Sequence, residues 1–163
     1  MLELCAGTLE QFIKEEYKGP MPSDEIVLYQ IACGVAYIHS KKLVHRDIKP
    51  ENILISLTDP VMMKVSDFGL SKFVNSRGSF SVSGIKGTHN WMAPELLAKA
   101  NSSDEVEIAQ RASVKSDIFS TGCVFFYFVT RGTHPFGEIF FIMINILQNK
   151  RVNLKGDEIL CEA

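Results

Sequence analysis

The chain has 163 residues, of which 46% are hydrophobic and 22% charged, and its formal net charge is −2. These values are typical of a globular domain that can bury roughly 70% of its unfolded surface. The small net charge argues against a nucleic-acid-binding surface and against a polybasic membrane-binding patch. The four cysteines lie far apart, so the sequence predicts neither a zinc site nor a disulfide framework: Cys5, Cys33, Cys123 and Cys161.

No segment has the pattern of a targeting or membrane-spanning sequence. The longest apolar run, 123–129, has about a third of the roughly 20 residues that a membrane span needs. The N-terminus lacks the charged region and apolar stretch of a signal peptide. We therefore expect this segment to be soluble and cytosolic, without membrane contact.

Two helices are predicted before residue 45. Thr8 and Gln11 have the spacing of a capping box, which indicates a short helix that ends before Gly19-Pro20. Ser23 is predicted to cap a longer helix that leads directly into the loop of residues 45–52. Apolar residues recur in this second helix at helical spacing: Ile26, Val27, Ile31, Ala32, Val35, Ala36 and Ile38.

The loop of residues 45–52 reads His-Arg-Asp-Ile-Lys-Pro-Glu-Asn. It places a carboxylate, an ammonium group and a carboxamide in the order that a phosphoryl-transfer site needs. Asp47 can orient and deprotonate an attacking hydroxyl. Lys49 can neutralise charge on the transferred phosphoryl group, and Asn52 can ligate a magnesium ion.

A short β-hairpin is predicted next, because residues 53–55 and 63–65 flank a turn at Thr58-Asp59-Pro60. Asp67-Phe68-Gly69 follows the second strand. Asp67 is predicted to hold the magnesium ion that bridges the ATP phosphates, and Phe68 is predicted to pack inward. Gly69 would allow the backbone to turn.

A third motif, Ala93-Pro94-Glu95, follows the Asp-Phe-Gly motif at a plausible distance. A single Asp-Phe-Gly is a weak signal, since most such tripeptides are ordinary loops. Three motifs in this order each supply a separate part of one mechanism, which indicates the catalytic segment of a protein kinase.

The C-terminal third is less regular. Residues 101–110 are interpreted as a solvated loop or insert. A helix is predicted from Ser116 or Asp117, apolar nearly all round and therefore buried in a core, ending near Arg131-Gly132. The apolar tail 139–147 could bury against this helix, form an interface or reflect a gene-model error, and burial is favoured because apolar runs are more often core.

With these elements in view, the chain resembles the C-terminal lobe of a eukaryotic protein kinase. More narrowly, it is similar to the inositol-requiring kinase/endoribonucleases of the endoplasmic-reticulum stress response. The resemblance implies a mainly α fold, in which a short β-hairpin carries the catalytic and Asp-Phe-Gly loops and the N-lobe is absent. Residues 1–163 would form one kinase-domain fragment, from the hinge through about helix αG. The narrower match rests on residues 3–9, 52–56, 66–70, 79–81, 117–125 and 134–137.

The resemblance implies a set of nucleotide contacts. Leu2 would be the gatekeeper, and the backbones of Glu3 and Cys5 would hydrogen-bond adenine. Leu54 would form the floor of the nucleotide pocket. The remaining ATP and Mg²⁺ contacts would come from Lys49, Asn52 and Asp67.

The resemblance also implies structural roles. His45 and Phe68 would stack in an internal column of apolar side chains. Asp117 would accept hydrogen bonds from the catalytic-loop backbone, the alternative being an exposed helix-capping carboxylate. The arginine that normally pairs with Glu95 is missing, and a buried, unpaired Glu95 would cost several kcal/mol or force local opening. Lys49 and Thr88 together favour serine or threonine over tyrosine as the acceptor.

Phosphorylation is predicted to regulate the segment between the second and third motifs. Arg46 offers a bidentate fork for a phosphate on Ser79, Ser81 or Ser83, which would order the segment. Lys72 or Arg77 could assist, and the sequence does not select one serine.

These features predict a Ser/Thr kinase fragment that uses ATP and Mg²⁺ and phosphorylates itself in trans. The resemblance implies a homodimer or larger oligomer at the cytosolic face of the endoplasmic-reticulum membrane. RNA contact would come only through a ribonuclease domain that these residues do not include. We expect the fragment alone to be inactive. The alternatives are a nucleotide-sensing pseudokinase that acts by dimerisation, and a Ser/Thr kinase of another branch without a ribonuclease.

Overall fold

The computed structural model describes residues 4–74, 88–98 and 113–154. Helices and two small sheets alternate along the described chain. Three 3₁₀ turns, Pro50–Asn52, Phe68–Leu70 and His89–Trp91, lie in the connections. The elements in order are β1 (Cys5–Thr8), α1 (Leu9–Ile13), α2 (Asp24–Ser40), β2 (Leu43–Val44), β3 (Ile53–Ser56), β4 (Met63–Val65), β5 (Lys72–Phe73), α3 (Pro94–Leu97), α4 (Val114–Val129) and α5 (Ile142–Leu147).

The first two helices begin where the sequence predicts. The capping box is confirmed, because Gln11 N donates to Thr8 Oγ1 at 3.1 Å and Thr8 N donates to Gln11 Oε1 at 2.9 Å. Helix α2 starts after Ser23, although the Ser23 side chain makes no capping hydrogen bond. One face of α2 is buried in the core, and the helix ends close to the catalytic loop in the chain.

The predicted hairpin is confirmed and belongs to a larger sheet. Ile53 pairs with Val65 and Ile55 with Met63 across β3 and β4. Strand β1 adds to the other side of β3, giving the order β1-β3-β4. Gln30 on α2 accepts a hydrogen bond from Met63 N at 2.7 Å, which ties the helix to the sheet. Strand β1 was not predicted, because four residues carry little periodicity and the pairing partner lies far along the chain.

A second, two-stranded sheet frames the catalytic loop. Leu43 in β2 pairs with Phe73 in β5, and Val44 pairs with Lys72. The residues between these strands include both the catalytic loop and the Asp-Phe-Gly loop. Pairing at the two ends therefore brings both loops to the same side of the molecule.

Helix α4 departs from its prediction in two ways. It begins at Val114 with Ser113 as N-cap, whose Oγ accepts a hydrogen bond from Lys115 N at 3.2 Å. It is not buried all round, since Ile118 is 56% exposed. The buried side contains Ser120, which donates to the Trp91 carbonyl at 2.6 Å. Because polar residues occupy part of the buried side, hydropathy does not reveal which face points inward.

The expected burial of the apolar tail is wrong for most of its residues. Phe140 is 89% exposed, and Ile139 and Phe141 are exposed as well. Only Ile142 and Ile146 insert into the core, at the spacing of one helical turn in α5. The predicted polar stretch 101–110 lies outside the described residues. None of the described helices has the length and apolar character that crossing a membrane requires.

Candidate active site

Asp117 anchors the backbone of the catalytic loop. Its side chain is only 1% exposed, and it accepts hydrogen bonds from His45 N at 2.8 Å and Arg46 N at 2.9 Å. Arg46 has φ 75°, a left-handed conformation that is unfavourable for a side-chain-bearing residue. The two hydrogen bonds help to hold this turn. The resemblance implied this contact, and the alternative of an exposed capping carboxylate is wrong.

His39 is a residue at this site that the sequence reasoning missed. Its Nε2 lies 2.9 Å from Asp117 Oδ2, the same oxygen that accepts from His45 N. His39 sits in the last turn of α2, and Asp117 is in the first turn of α4. No local pattern connects two residues so far apart in sequence, so only the packing of α2 against α4 reveals the pair.

His45 links the catalytic loop to the Asp-Phe-Gly loop. The ring is fully buried, and its Nε2 lies 2.8 Å from the Ser66 carbonyl oxygen. The Phe68 ring makes an edge contact with it, with centroids 5.0 Å apart. Phe68 is nevertheless 47% exposed, so the expectation that it packs inward is wrong for about half of the side chain.

Asp47, Lys49, Asn52 and Thr88 form one hydrogen-bonded cluster. Asp47 Oδ2 accepts from Asn52 Nδ2 at 3.0 Å and lies 3.0 Å from Lys49 Nζ. Asp47 Oδ1 accepts from the Thr88 amide at 3.0 Å and the Thr88 hydroxyl at 3.1 Å. Lys49 Nζ also donates to Thr88 Oγ1 at 2.7 Å. The catalytic loop and the residue Thr88, which is distant in sequence, therefore meet around one carboxylate.

The electrostatics of this cluster keep Asp47 ionised. Burial by itself would raise the pKa of Asp47. Hydrogen bonds from Lys49 and Thr88, together with the Lys49 charge, outweigh burial and hold the pKa below its usual value. An ionised carboxylate that accepts a hydrogen bond from a hydroxyl is the state that a general base requires.

Asn52 and the Asp-Phe-Gly loop are held side by side. The Asn52 carbonyl accepts hydrogen bonds from Ser66 N at 2.9 Å and Ser66 Oγ at 3.0 Å. Asp67 follows directly, in a left-handed conformation, and its exposed carboxylate accepts from Gly69 N at 3.3 Å.

Asn52 and Asp67 carry oxygen atoms of the kind that a magnesium ion takes as ligands. The Asn52 amide nitrogen is engaged by Asp47, which leaves the amide oxygen as the possible ligand. Among the described residues, no group of three or more histidine, cysteine, aspartate or glutamate side chains could hold a metal ion by itself. Mg²⁺ commonly uses one or two protein oxygens and completes its octahedral shell with phosphates and water. The two residues are therefore suited to hold Mg²⁺ together with a nucleotide.

The three-stranded sheet carries two of the expected nucleotide contacts on neighbouring strands. Cys5 lies on β1 opposite Ser56, and Leu54 lies on the neighbouring β3 opposite Thr8. Both Cys5 and Leu54 are half-buried. The other two expected contacts, Leu2 and Glu3, lie outside the described residues.

Arg46 points toward the start of the segment that carries the candidate phosphorylation sites. Its guanidinium donates to the Leu70 carbonyl at 3.3 Å. Burial lowers the pKa of Arg46, and the charge of Asp117 opposes this effect. The predicted phosphorylation sites Ser79, Ser81 and Ser83 lie outside the described residues.

Glu95 has a hydrogen-bond partner other than the missing arginine. It is half-buried, and its Oε1 accepts a hydrogen bond from Ser116 Oγ at 2.8 Å. Glu95 is therefore neither fully buried nor unpaired, and the cost of a buried carboxylate without a partner does not arise. Partial solvation and one short hydrogen bond satisfy the charge.

Comparisons with known proteins identify the family. The protein kinase domain family matches residues 1–155, and the chain belongs to that family. The crystal structure of the yeast RNA Pol II CTD kinase CTDK-1 complex is similar in fold, with a TM-score of 0.66 and 25% sequence identity. That similarity covers 88% of this chain and 43% of the other.

Proteins named kinase/endoribonucleases are among the relatives of this chain, as the resemblance predicted. The human Serine/threonine-protein kinase/endoribonuclease IRE2 is 42% identical over 90% of this chain. Serine/threonine-protein kinase/endoribonuclease ire-1 of Caenorhabditis elegans and the Schizosaccharomyces pombe Sensor for unfolded proteins in the ER ire1 are each 37% identical over 91% of it. The chain spans only 16%, 15% and 16% of the lengths of these three relatives.

Proposed function

We propose that this chain is part of a Ser/Thr kinase that transfers the terminal phosphate of ATP to a protein hydroxyl. The observation that supports this proposal most directly is the cluster around Asp47. In it, Lys49, Asn52 and Thr88 all contact one ionised carboxylate. The chain would correspond to the C-terminal lobe of a kinase domain, from the hinge through about helix αG, with residues 1–163 belonging to one domain.

Each member of the cluster has a distinct role in this proposal. Asp47 orients the acceptor hydroxyl and takes its proton. Lys49 neutralises charge on the transferred phosphoryl group. Asn52 and Asp67 hold Mg²⁺, which when bound neutralises charge on the ATP phosphates. The backbones of Glu3 and Cys5 would bind adenine above Leu54.

The position of the Thr88 hydroxyl supports serine or threonine as the acceptor. This hydroxyl donates to Asp47 Oδ1 and accepts from Lys49, so an aliphatic hydroxyl is accommodated between the base and the cation. A substrate serine or threonine would make the same two contacts in its place.

The names of the relatives support a wider role in the stress response. Because this chain is similar to these relatives, we propose that the complete protein phosphorylates itself in trans, forms homodimers or oligomers and controls a linked ribonuclease. It would act at the cytosolic face of the endoplasmic-reticulum membrane, with RNA bound by the ribonuclease domain. Retention of Asp47, Lys49, Asn52 and Asp67 favours this active kinase over a pseudokinase.

Replacing Asp47 tests the proposal. In the complete protein, we expect Asp47→Asn to reduce phosphotransfer by at least about a hundredfold, because a positioned base contributes roughly 10²–10⁴ to the rate. The measurement is incorporation of labelled phosphate from γ-labelled ATP under single-turnover conditions. Asp24→Asn is the matched control, since Asp24 forms a surface ion pair with Arg131. A loss below about tenfold would reject Asp47 as the base.

A further inference from the structure

Helix α2 carries an exposed ridge of side chains at four-residue intervals. Residues four apart are neighbours on a helix surface and form one of the ridges by which helices pack. All five members of this ridge are exposed, the last being the C-cap: Glu25, Tyr29, Cys33, Tyr37 and Lys41. The two aromatic residues are 70% and 64% exposed, respectively. The buried core residues of α2 lie on its other face, so the described fold does not cover the ridge.

The order of residue types along the ridge is self-complementary. It reads acid, aromatic ring, thiol, aromatic ring and base, with Cys33 at its centre. In an antiparallel pair of α2 helices that cross at Cys33, residues equally far before and after Cys33 face each other. Tyr29 of one copy then faces Tyr37 of the second copy, and Glu25 faces Lys41. Two-fold symmetry makes each of these contacts occur twice.

Helix-packing geometry permits this pairing along the whole ridge. When the four-residue ridges of two helices interdigitate, the helix axes cross at about −50° and the ridges run side by side. The row of residues next to this ridge contains Ala32 and Ala36, which are also exposed. Their small side chains let the ridge of a second copy approach closely.

The charges at the two ends of the ridge favour the antiparallel arrangement. Neither Glu25 nor Lys41 forms an ion pair with another described residue, whereas Asp24 pairs with Arg131. Lys41 Nζ lies 5.1 Å from the centroid of the Tyr37 ring, which holds this cation on the ridge. A parallel pair of helices would place like charges together at both ends, which is unfavourable.

We propose that α2 is a docking surface for a second copy of this chain, in an antiparallel contact centred on Cys33. The proposal deepens the homodimer part of the proposed function and does not depend on phosphoryl transfer. Aromatic pairs and exposed ion pairs each contribute modestly to such a contact. One ridge per copy is a small interface, so we expect weak association.

The first test is cross-linking of the complete protein with a short bis-maleimide, which adds to one thiol at each end. We expect a covalent dimer in which both linked peptides contain Cys33, identified by mass spectrometry after proteolysis. Cys33→Ser is the control and should lack this link. A monofunctional maleimide measures separately whether the Cys33 thiol is accessible.

Two results of this test would overturn the proposal. One is a Cys33 thiol that reacts with the monofunctional maleimide but forms no Cys33–Cys33 link. The other is a thiol that is protected in the monomeric protein, because a different segment would then cover the ridge.

Exchange of charges tests the orientation of the contact. Lys41→Glu and Glu25→Lys each place like charges together, so each should slow Cys33–Cys33 linkage about three- to tenfold. The double variant restores opposite charges, and its rate should return to within about twofold of wild type. Lys150→Glu changes an exposed lysine after α5 and is the matched control, with no expected effect. Each rate is divided by that of the monofunctional maleimide, which corrects for changes in folding. A double variant as slow as the single variants would overturn the antiparallel contact.

The outcomes separate this inference from the proposed function. Phosphotransfer by a protein that forms no Cys33–Cys33 link would overturn the α2 contact and leave the kinase intact. A protein that forms the link but transfers no phosphate would retain the contact and overturn the kinase proposal. Dimers that sediment as such without the link would place the dimer interface elsewhere and overturn the contact alone.

Discussion

Asp117 shows how one buried side chain can determine the shape of the catalytic loop. Its carboxylate meets three donors, the amides of His45 and Arg46 and the imidazole of His39. A buried carboxylate without hydrogen-bond donors is strongly unfavourable, so the burial of Asp117 depends on these contacts. They connect α2 and α4 to the backbone that precedes Asp47.

Substitution of Asp117 should therefore disturb both stability and catalysis. We predict that Asp117→Ala lowers the free energy of unfolding by about 3–5 kcal/mol, because it leaves buried donors unpaired. Denaturant unfolding of the kinase-active protein measures this change, with phosphotransfer followed in parallel. The control Asp24→Asn removes a surface ion pair and should cost less than about 1 kcal/mol. A loss of stability for Asp117→Ala no larger than that of the control would contradict the anchoring role.

At the scale of elements, paired strands bring the loops of the site together. β2 pairs with β5, and β3 pairs with β4, so the catalytic loop and the Asp-Phe-Gly loop are each fixed at both ends. Arg46 reaches from the first loop to the Leu70 carbonyl just after the second. A phosphate on the following segment would meet an arginine whose backbone is held by Asp117 and whose guanidinium donates to the Leu70 carbonyl.

Regulation by that segment can be tested with three substitutions. We predict that Ser79→Ala, Ser81→Ala and Ser83→Ala together reduce ATP-dependent activation of the complete protein several-fold, because no phosphate remains to pair with Arg46. The measurement is the rate of substrate phosphorylation after preincubation with ATP. Ser113→Ala, which removes a helix cap elsewhere, controls for the loss of a serine hydroxyl. Unchanged activation in the triple variant would reject the idea.

At the scale of the whole molecule, the 163 residues span 16%, 15% and 16% of the lengths of the three relatives reported above. They include the catalytic and Asp-Phe-Gly loops but no glycine-rich loop and no strand lysine of the kind that holds the phosphates.

We therefore predict that the purified 163-residue polypeptide transfers no measurable phosphate, whereas the complete protein does. The measurement is labelled-phosphate incorporation at millimolar Mg-ATP, with circular dichroism to establish that the polypeptide is folded. Transfer by the polypeptide that Asp47→Asn removes would show that these residues are sufficient for activity.

Features that depend on local chemistry could be predicted from the sequence. The capping box at Thr8 and the hairpin of residues 53–65 follow from short-range spacing, which neighbouring residues fix without help from the rest of the fold. The motifs at 45–52 and 67–69 could be recognised for the same reason, since each is a contiguous run with its own chemical logic.

Tertiary structure alone decided which distant groups meet and which apolar residues are covered. The contact of His39 with Asp117 and the contact of Thr88 with Asp47 each join separate parts of the chain. Phe140 is exposed while the polar Ser120 is buried, against their hydropathy. Burial depends on what packs against a residue, and a hydrogen-bonded polar group can be buried at little cost. The spacing of residues along the sequence shows neither what packs against a residue nor which hydrogen bonds a buried polar group makes.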